Sequence, residues 1–439
     1  MKKLALDNSA KIYPLMAKKK AQNLFFYAVE LKQDICPEKL FEAVRRVMPR
    51  FPGFTGRLKR GFFWHYLGDN SKKAPVFEKD NGDYLRPFTK KSTNGFNFKI
   101  KFSQRRLTVE FYHVITDGYG ALQFAKSLLH TYLTLCGHSV EAENILTADT
   151  APCAAELEDS FLANGKSIKI RNIKLKALTG GKAFKISAQR QINCSKQAAG
   201  RRKNPPAQKS FGAVTLPVAE MLKLSRAKGV TLTAYSAGLI MYSVYNAQCA
   251  AASGTGKQKR NAKRNLVVFC PINLRNIFPS ETLRNFTLFS RITAEISKQN
   301  LGLDYFIQIA VNALKRDTEV ELLEKKIATT VLGERFIPLR FSPLFFKKAV
   351  LKIASLFAGK KNKTLTFSNV GIADLPDSFN AYVEKISAGI NVSKRVPLAV
   401  CALTTFGNIT FTFSEFFPTG VKTFFTEFLK SEQATKPIN

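Results

Sequence analysis

Between Phe96 and Tyr132 the chain changes its period once, and that change dictates what it can build there. Phe96, Phe98, Ile100 and Phe102 alternate with Asn97, Lys99 and Lys101, the two-residue period of a half-buried strand. Ser103 to Arg106 reads as a turn, after which Leu107, Val109, Phe111 and His113 share one face of a second strand. Ala121, Leu122, Ala125, Leu128, Leu129 and Tyr132 then recur at helical spacing. A strand pair followed by a helix predicts sheet and helix packed together. The junction is Tyr112-His113-Val114-Ile115-Thr116-Asp117-Gly118, and it holds one of only four histidines. Imidazole takes up and returns a proton near neutral pH, and the end of a rigid strand holds it where substrate can reach. On the residues alone two readings stay open: a catalytic base, or a hydrogen-bonded core histidine with Asp117 capping the helix that begins at Gly118.

Tyr112 to Gly118 resembles the HHxxxDG motif of the chloramphenicol acetyltransferase-like superfamily, which includes nonribosomal peptide condensation domains, plant BAHD acyltransferases and alcohol O-acetyltransferases. Tyr112 stands where that motif has its first His, and His113 falls on the second, catalytic position. Pro271-Ile272-Asn273-Leu274-Arg275, followed by Pro279, Arg284, Asn285 and Phe286, looks like a second block of the superfamily. Thr366-Phe367-Ser368-Asn369-Val370-Gly371 is similar to the SNxG block of its bacterial alcohol acetyltransferase branch. Leu6-Asp7-Asn8 and Phe63-Trp64 also look like that branch, so the resemblance covers nearly the whole chain.

The resemblance implies an α+β fold of two chloramphenicol-acetyltransferase-like lobes, each a mixed sheet with helices packed on it, and an active-site tunnel between them. It implies an acyl group, acetyl by the branch resembled, moving from acyl-CoA as co-substrate to a small-molecule alcohol or amine. His113 would be the general base, attack would be direct, and no cofactor or metal would be permanently bound. Asp117 would form a structural salt bridge with Arg275. Gly118, lacking a Cβ, would let the backbone turn sharply beside the base. Ser368 and Asn369 are the candidate oxyanion donors, against a strand-end turn as their alternative. Tyr112 departs from the paired His, a position that mostly supports structure. A carrier-protein thioester in place of coenzyme A stays open. So does a non-catalytic, condensation-like module that binds a carrier-linked or lipid ligand. No GxSxG elbow occurs, so a triad hydrolase has no nucleophile to stand on.

The chain has 439 residues, 45% of them hydrophobic, which predicts more than one core. The first lobe is placed at 1–138. A helix over Pro37 to Val47 carries Leu40, Phe41 and Val44 on its apolar side and ends at Arg50-Phe51-Pro52-Gly53. Residues 139–210 lose periodicity and read as a crossover linker, with Thr179-Gly180-Gly181, Gly200-Arg201-Arg202 and Pro205-Pro206. The second lobe, 211–439, opens with a strand over Ala213 to Leu216 and a helix from Val218 to Ala227 that Gly229 ends. Near its end, Leu398 to Phe406 and Ile409 to Phe413 read as alternating strands joined by Gly407-Asn408. Phe424, Phe425, Phe428 and Leu429 then mark a closing amphipathic helix.

Seven cysteines without a CxxC pair predict free thiols in a reducing cytoplasm rather than disulfides or zinc. Cys270 sits in the apolar run Leu266–Cys270 and is expected to be core. The start lacks a signal-peptide pattern, and the uncharged stretch from Gly229 to Gly256 is too polar to span a bilayer; its first half reads as a buried helix. The net charge of +36 favours anionic partners. Its runs, Lys18 to Lys20, Arg201 to Lys203, Lys257 to Arg264 and Lys360-Lys361, lie in loop-like segments without interleaved aromatics, which argues against a specific nucleic-acid site. Attraction of coenzyme A phosphates, weak association with an anionic membrane surface, and general solubility remain as its meaning. The chain is expected to act as a monomer.

Overall fold

Phe98–Phe102 and Arg106–Tyr112 form the antiparallel pair that leads to His113, with Phe98 opposite Phe111 and Phe102 opposite Leu107. The computed structural model describes residues 3–17, 22–70, 74–165, 183–187, 209–250, 264–297, 300–335, 337–349 and 363–434. The pair belongs to a five-stranded mixed sheet in the order Val383–Ile390, Leu24–Leu31, Arg106–Tyr112, Phe98–Phe102, Phe77–Lys79, whose last two strands are parallel. The alternation of Phe98–Phe102 does not expose its polar side. Lys99 and Lys101 are buried around Glu110, with Lys101 Nζ 3.4 Å from one carboxylate oxygen and Lys99 Nζ 3.8 Å from the other. Charges that pair inside a fold can occupy positions that would otherwise mark solvent.

The second sheet has six strands in the order Thr287–Ala294, Leu266–Asn273, Leu365–Ile372, Leu398–Thr405, Asn408–Glu415, Ser210–Pro217. Leu365–Ile372 runs parallel to both neighbours and the other pairs are antiparallel. Helices Leu232–Tyr245, Leu303–Asp317 and Val421–Ala434 pack on it through Tyr235, Leu239, Ile240, Phe306, Ile307, Phe425 and Leu429. Two mixed sheets with helices on them give the expected fold class. Val383–Ile390 lies in sequence between two strands of the second sheet, Leu365–Ile372 and Leu398–Thr405, yet it pairs with Leu24–Leu31 in the first sheet. The chain therefore passes to the first sheet and back again after residue 211.

Helix Pro37–Val47 forms over the expected residues, with Pro37 at its first position where no donor is lost. Its buried face is Leu40, Ala43, Val44 and Val47; Phe41 is 43% exposed and instead packs edge-on against Phe77, centroids 4.4 Å apart. Helix Val218–Ala227 is followed by Gly229 at φ +65°, the left-handed cap conformation. The hairpin turn is Phe406-Gly407, at φ +46° and +70°, with Thr405 opposite Asn408. This register keeps Ile409, Phe411 and Phe413 on the core side and makes Asn408 the first strand residue, so the turn lies one position earlier than Gly407-Asn408. Leu398–Thr405 is buried along its whole length because strands flank it and both faces are covered.

Between the lobes, Ala154–Leu157 forms a 3-10 turn and Ser160–Gly165 a short helix. Glu156 is tied to the buried Arg50 by two hydrogen bonds of 2.6 Å. The Gly-rich and Pro-rich linker signals at Thr179 to Gly181, Gly200 to Arg202 and Pro205-Pro206 lie outside the described residues, as do the basic runs Lys18 to Lys20, Arg201 to Lys203, Lys257 to Lys263 and Lys360-Lys361. Among the described residues no helix is long and apolar enough to cross a membrane. Cys270 is buried, and burial pushes its thiol up to about 12.

Candidate active site

His113 follows the last residue of strand Arg106–Tyr112 and precedes the helix Gly118–Leu135. Its amide donates to the Asn23 carbonyl at 3.1 Å, which continues the ladder with the neighbouring strand's start. The ring lies against Phe25, centroids 4.3 Å apart, and stacks on Tyr13 at 5.4 Å. Nδ1 is 3.2 Å from the Thr116 carbonyl oxygen. A carbonyl only accepts, so in the neutral ring Nδ1 carries the hydrogen and Nε2 holds the free lone pair. Burial lowers the imidazole's pKa below its ordinary value, while Asp117, the Thr116 carbonyl and Asn285 pull it partly back. The neutral ring is thereby favoured at neutral pH.

The ring lines a cavity of about 840 Å³. Its wall draws on Phe25 and Tyr27 of the first sheet, Tyr119 and Leu122 of the helix after the motif, and Asn273 and Ser368 of the second sheet. Residues far apart in sequence therefore face one space.

Asp117 does two structural jobs. Its Oδ1 caps the helix by accepting from Gly120 N at 3.3 Å, and its Oδ2 accepts from Arg275 Nη1 at 2.9 Å and from Phe286 N at 2.8 Å. Arg275 is held in turn by the carbonyls of Thr282 (2.9 Å) and Arg284 (2.5 Å) and by Asn273 Oδ1 (3.1 Å). Both charged groups are buried, at 1% and 5% side-chain exposure, so each is the other's compensation. Thr116 Oγ1 adds a 2.6 Å bond to the Leu283 carbonyl. These three contacts fasten the motif loop to the Arg275–Phe286 segment.

Asn285 completes the arrangement. Its Nδ2 donates to the His113 carbonyl at 2.9 Å and to Asp7 Oδ2 at 3.1 Å, and Asp7 lies 3.6 Å from Arg284 Nε. The opening Leu6-Asp7-Asn8 therefore packs beneath the histidine loop. Burial raises the Asp7 carboxyl despite Arg284.

Gly118 does not adopt the left-handed region, so the sharp turn expected of it is not what it supplies. Its carbonyl accepts from Tyr27 Oη at 2.8 Å, and a Cβ there would sit 3.3 Å from that hydroxyl. The severe constraint lies two residues on: a Cβ on Gly120 would be 2.0 Å from the Leu283 carbonyl oxygen and 2.4 Å from Thr116 Oγ1.

Ser368 and Asn369 both line the cavity, but they differ in what they have left to offer. Asn369 Nδ2 donates to Thr233 Oγ1 at 2.8 Å, and its Oδ1 accepts from Gly371 N at 3.2 Å across a bulge where Gly371 has φ +97°. Ser368 Oγ has no hydrogen-bond partner among the described residues and can donate into the cavity. Tyr112 is buried away from the cavity, and its hydroxyl has no partner among the described residues. Tyr13, Phe25 and Gly120 carry no mark in the sequence: rings that flank the imidazole and a glycine that admits a carbonyl are defined by partners about 90 to 160 positions away. Among the described residues no cluster of three His, Cys, Asp or Glu is placed to hold a metal.

No family model and no curated protein sequence matches the chain. Solved structures do. The polyketide synthase associated protein 5 of Mycobacterium tuberculosis is similar with a TM-score of 0.59 at 12% identity, over 99% of this chain and 98% of that one. The trichothecene 15-O-acetyltransferase of Fusarium sporotrichioides matches at 0.56 and 11%, over 97% and 94%. A starter condensation domain of rhizomide synthetase in complex with C8-CoA matches at 0.54 and 15%, over 99% and 95%. The chain shares the two-lobed, condensation-domain-like fold of these proteins.

Proposed function

We propose that the protein is an acyltransferase that moves an acyl group from a coenzyme A thioester to a hydroxyl or amine of a small molecule, with His113 as the base. The observation that carries this reading is the His113 ring lining the cavity with Nδ1 committed to the Thr116 carbonyl, which leaves Nε2 as the basic nitrogen. A cavity of about 840 Å³ is large for a small-molecule site and has room for a thioester arm and an acceptor together. The fold is shared with an acetyltransferase and with a domain that holds C8-CoA, which supports a thioester donor.

Nε2 takes the proton of the acceptor as its oxygen or nitrogen attacks the thioester carbonyl. The carbonyl's electron pair moves onto oxygen, and Ser368 Oγ donates a hydrogen bond to that oxyanion. When the tetrahedral intermediate collapses, the carbon–sulfur bond breaks and the imidazolium returns its proton to the thiolate. Asp117 and Arg275 take no part in proton transfer; they hold the loop that aims the ring. Acetyl is the group the alcohol acetyltransferase resemblance favours.

The test is acceptor-dependent release of free thiol from acetyl-CoA across a panel of alcohols and amines, with the acylated product identified by mass. Release that tracks acceptor concentration supports transfer. Ligand binding without any release across acetyl-CoA, longer acyl-CoAs and acyl-carrier donors supports the non-catalytic module instead.

A further inference from the structure

Lys126 lies on the helix Gly118–Leu135, on the face whose residues Gly118, Tyr119, Leu122 and Gln123 line the cavity with it. It is 2% exposed. Among the described residues its ammonium meets no hydrogen-bond acceptor and no carboxylate at ion-pair distance; the only charge acting on it is Asp374, an exposed residue that also lines the cavity. Burial lowers its pKa. Lys363, which lines the same cavity, differs in already donating to Thr366 Oγ1 at 2.9 Å. An ammonium at the end of a buried stem, facing the cavity without an acceptor, is completed by what enters the site.

Lys126 stands eight residues beyond Gly118, about 12 Å along the helix axis, and long helical side chains lean back toward the N-terminus. The wall that shares this space includes Leu122, Ile145, Leu146 and Ile390, apolar side chains against which a hydrocarbon chain can lie. Lys126 and Lys363 bring two positive charges to the cavity wall, and Asp374 cancels one of them. That balance suits a monoanion. The phosphates of coenzyme A together carry several negative charges and suit a clustered, more exposed basic surface.

Resting on the acyl-transfer reading, we propose that Lys126 receives the carboxylate of the acceptor, so that the acceptor is a hydroxy or amino acid whose reacting group and carboxylate are separated by a medium-length apolar chain. The carboxylate anchors against the ammonium, the chain lies along the apolar wall, and the hydroxyl or amine at its far end reaches His113.

Isothermal titration of the full chain with 10-hydroxydecanoate, its methyl ester and free coenzyme A tests this without turnover, so its failure is separate from failure of the thiol-release assay. Wild type is expected to bind the hydroxy acid at least about ten-fold more tightly than the ester, the equivalent of one decade in Kd. Lys126→Met is expected to abolish that preference while leaving ester and coenzyme A affinities unchanged, and Lys126→Arg to retain part of it. Thermal unfolding of Lys126→Met should match or exceed wild type, since a partly desolvated, unpaired charge is removed; should that variant not fold, Lys126→Gln takes its place. Equal binding of acid and ester by wild type, no binding of the acid, or loss of coenzyme A affinity in Lys126→Met would each overturn the proposal, the last by assigning the ammonium to the donor's phosphate.

Discussion

Asp117 and Arg275 are separated by 158 positions in sequence and stand 2.9 Å apart in space. The pair closes the motif loop onto the second sheet, because Asp117 also accepts from Phe286 N and Arg275 also donates to the Thr282 and Arg284 carbonyls. Removing either partner leaves the other charge buried, at a cost of about 3–5 kcal/mol. Asp117→Ala and Arg275→Ala should each lower the denaturant midpoint correspondingly, and the double variant should lose less than the sum. Additive losses would show that the two side chains do not share one interaction.

Ser368 and Asn369 are adjacent, and their substitutions should have opposite signatures. Ser368→Ala removes the free donor and should cost about 2.7–4 kcal/mol in the barrier with unfolding unchanged. Asn369→Ala breaks the bonds to Thr233 and Gly371 and should show first as lost stability, on the order of 1–3 kcal/mol. Steady-state rates beside urea unfolding of both variants separate the two roles.

A methyl group on Gly120 meets a backbone carbonyl at 2.0 Å, whereas one on Gly118 meets the end of the Tyr27 side chain at 3.3 Å. Gly120→Ala should therefore cost more than the ~1–3 kcal/mol of ordinary overpacking, and Gly118→Ala should fall within that range. Equal thermal shifts in the two variants would contradict the packing described.

Asp159 is raised to about 6 by burial and by the nearby Asp7. The folded state therefore holds its proton more tightly than the unfolded chain, whose carboxyl titrates at about 3.9. The stabilising contribution is present in full below that lower value and is lost as pH rises through about 6. Asp159→Asn should gain stability relative to wild type on going from pH 4 to pH 7, as read by thermal unfolding at each pH.

Much of this site is local in sequence, and that part was legible. The period change around His113, the helix Pro37–Val47 and the apolar run ending at Cys270 depend on neighbours within a turn or a strand. Arg275 was legible only through the motif it resembles, since nothing near it points to Asp117. The polar side of Phe98–Phe102 misled because Glu110 and Glu78, which accept its lysines, come from other strands. The hairpin turn falls at Phe406-Gly407, one residue before the Gly407-Asn408 signal, because register follows the core ladder and not the favoured dipeptide. Tyr13, Phe25 and Lys126 carry no local signal: an aromatic or a lysine acquires its part only when the cavity closes around it.

Burial holds the imidazole of His113 below its ordinary pKa, so the neutral ring is favoured at pH 7. Activity should sit on a plateau at neutral pH and fall as acidification passes through that lowered pKa, because the protonated ring cannot accept the acceptor's proton. The most direct measurement is acceptor-dependent thiol release by wild type and by His113→Ala, each shown folded by its unfolding curve. The account predicts a loss of about 10²–10⁴-fold on removing the ring. Equal rates from the two proteins would contradict it.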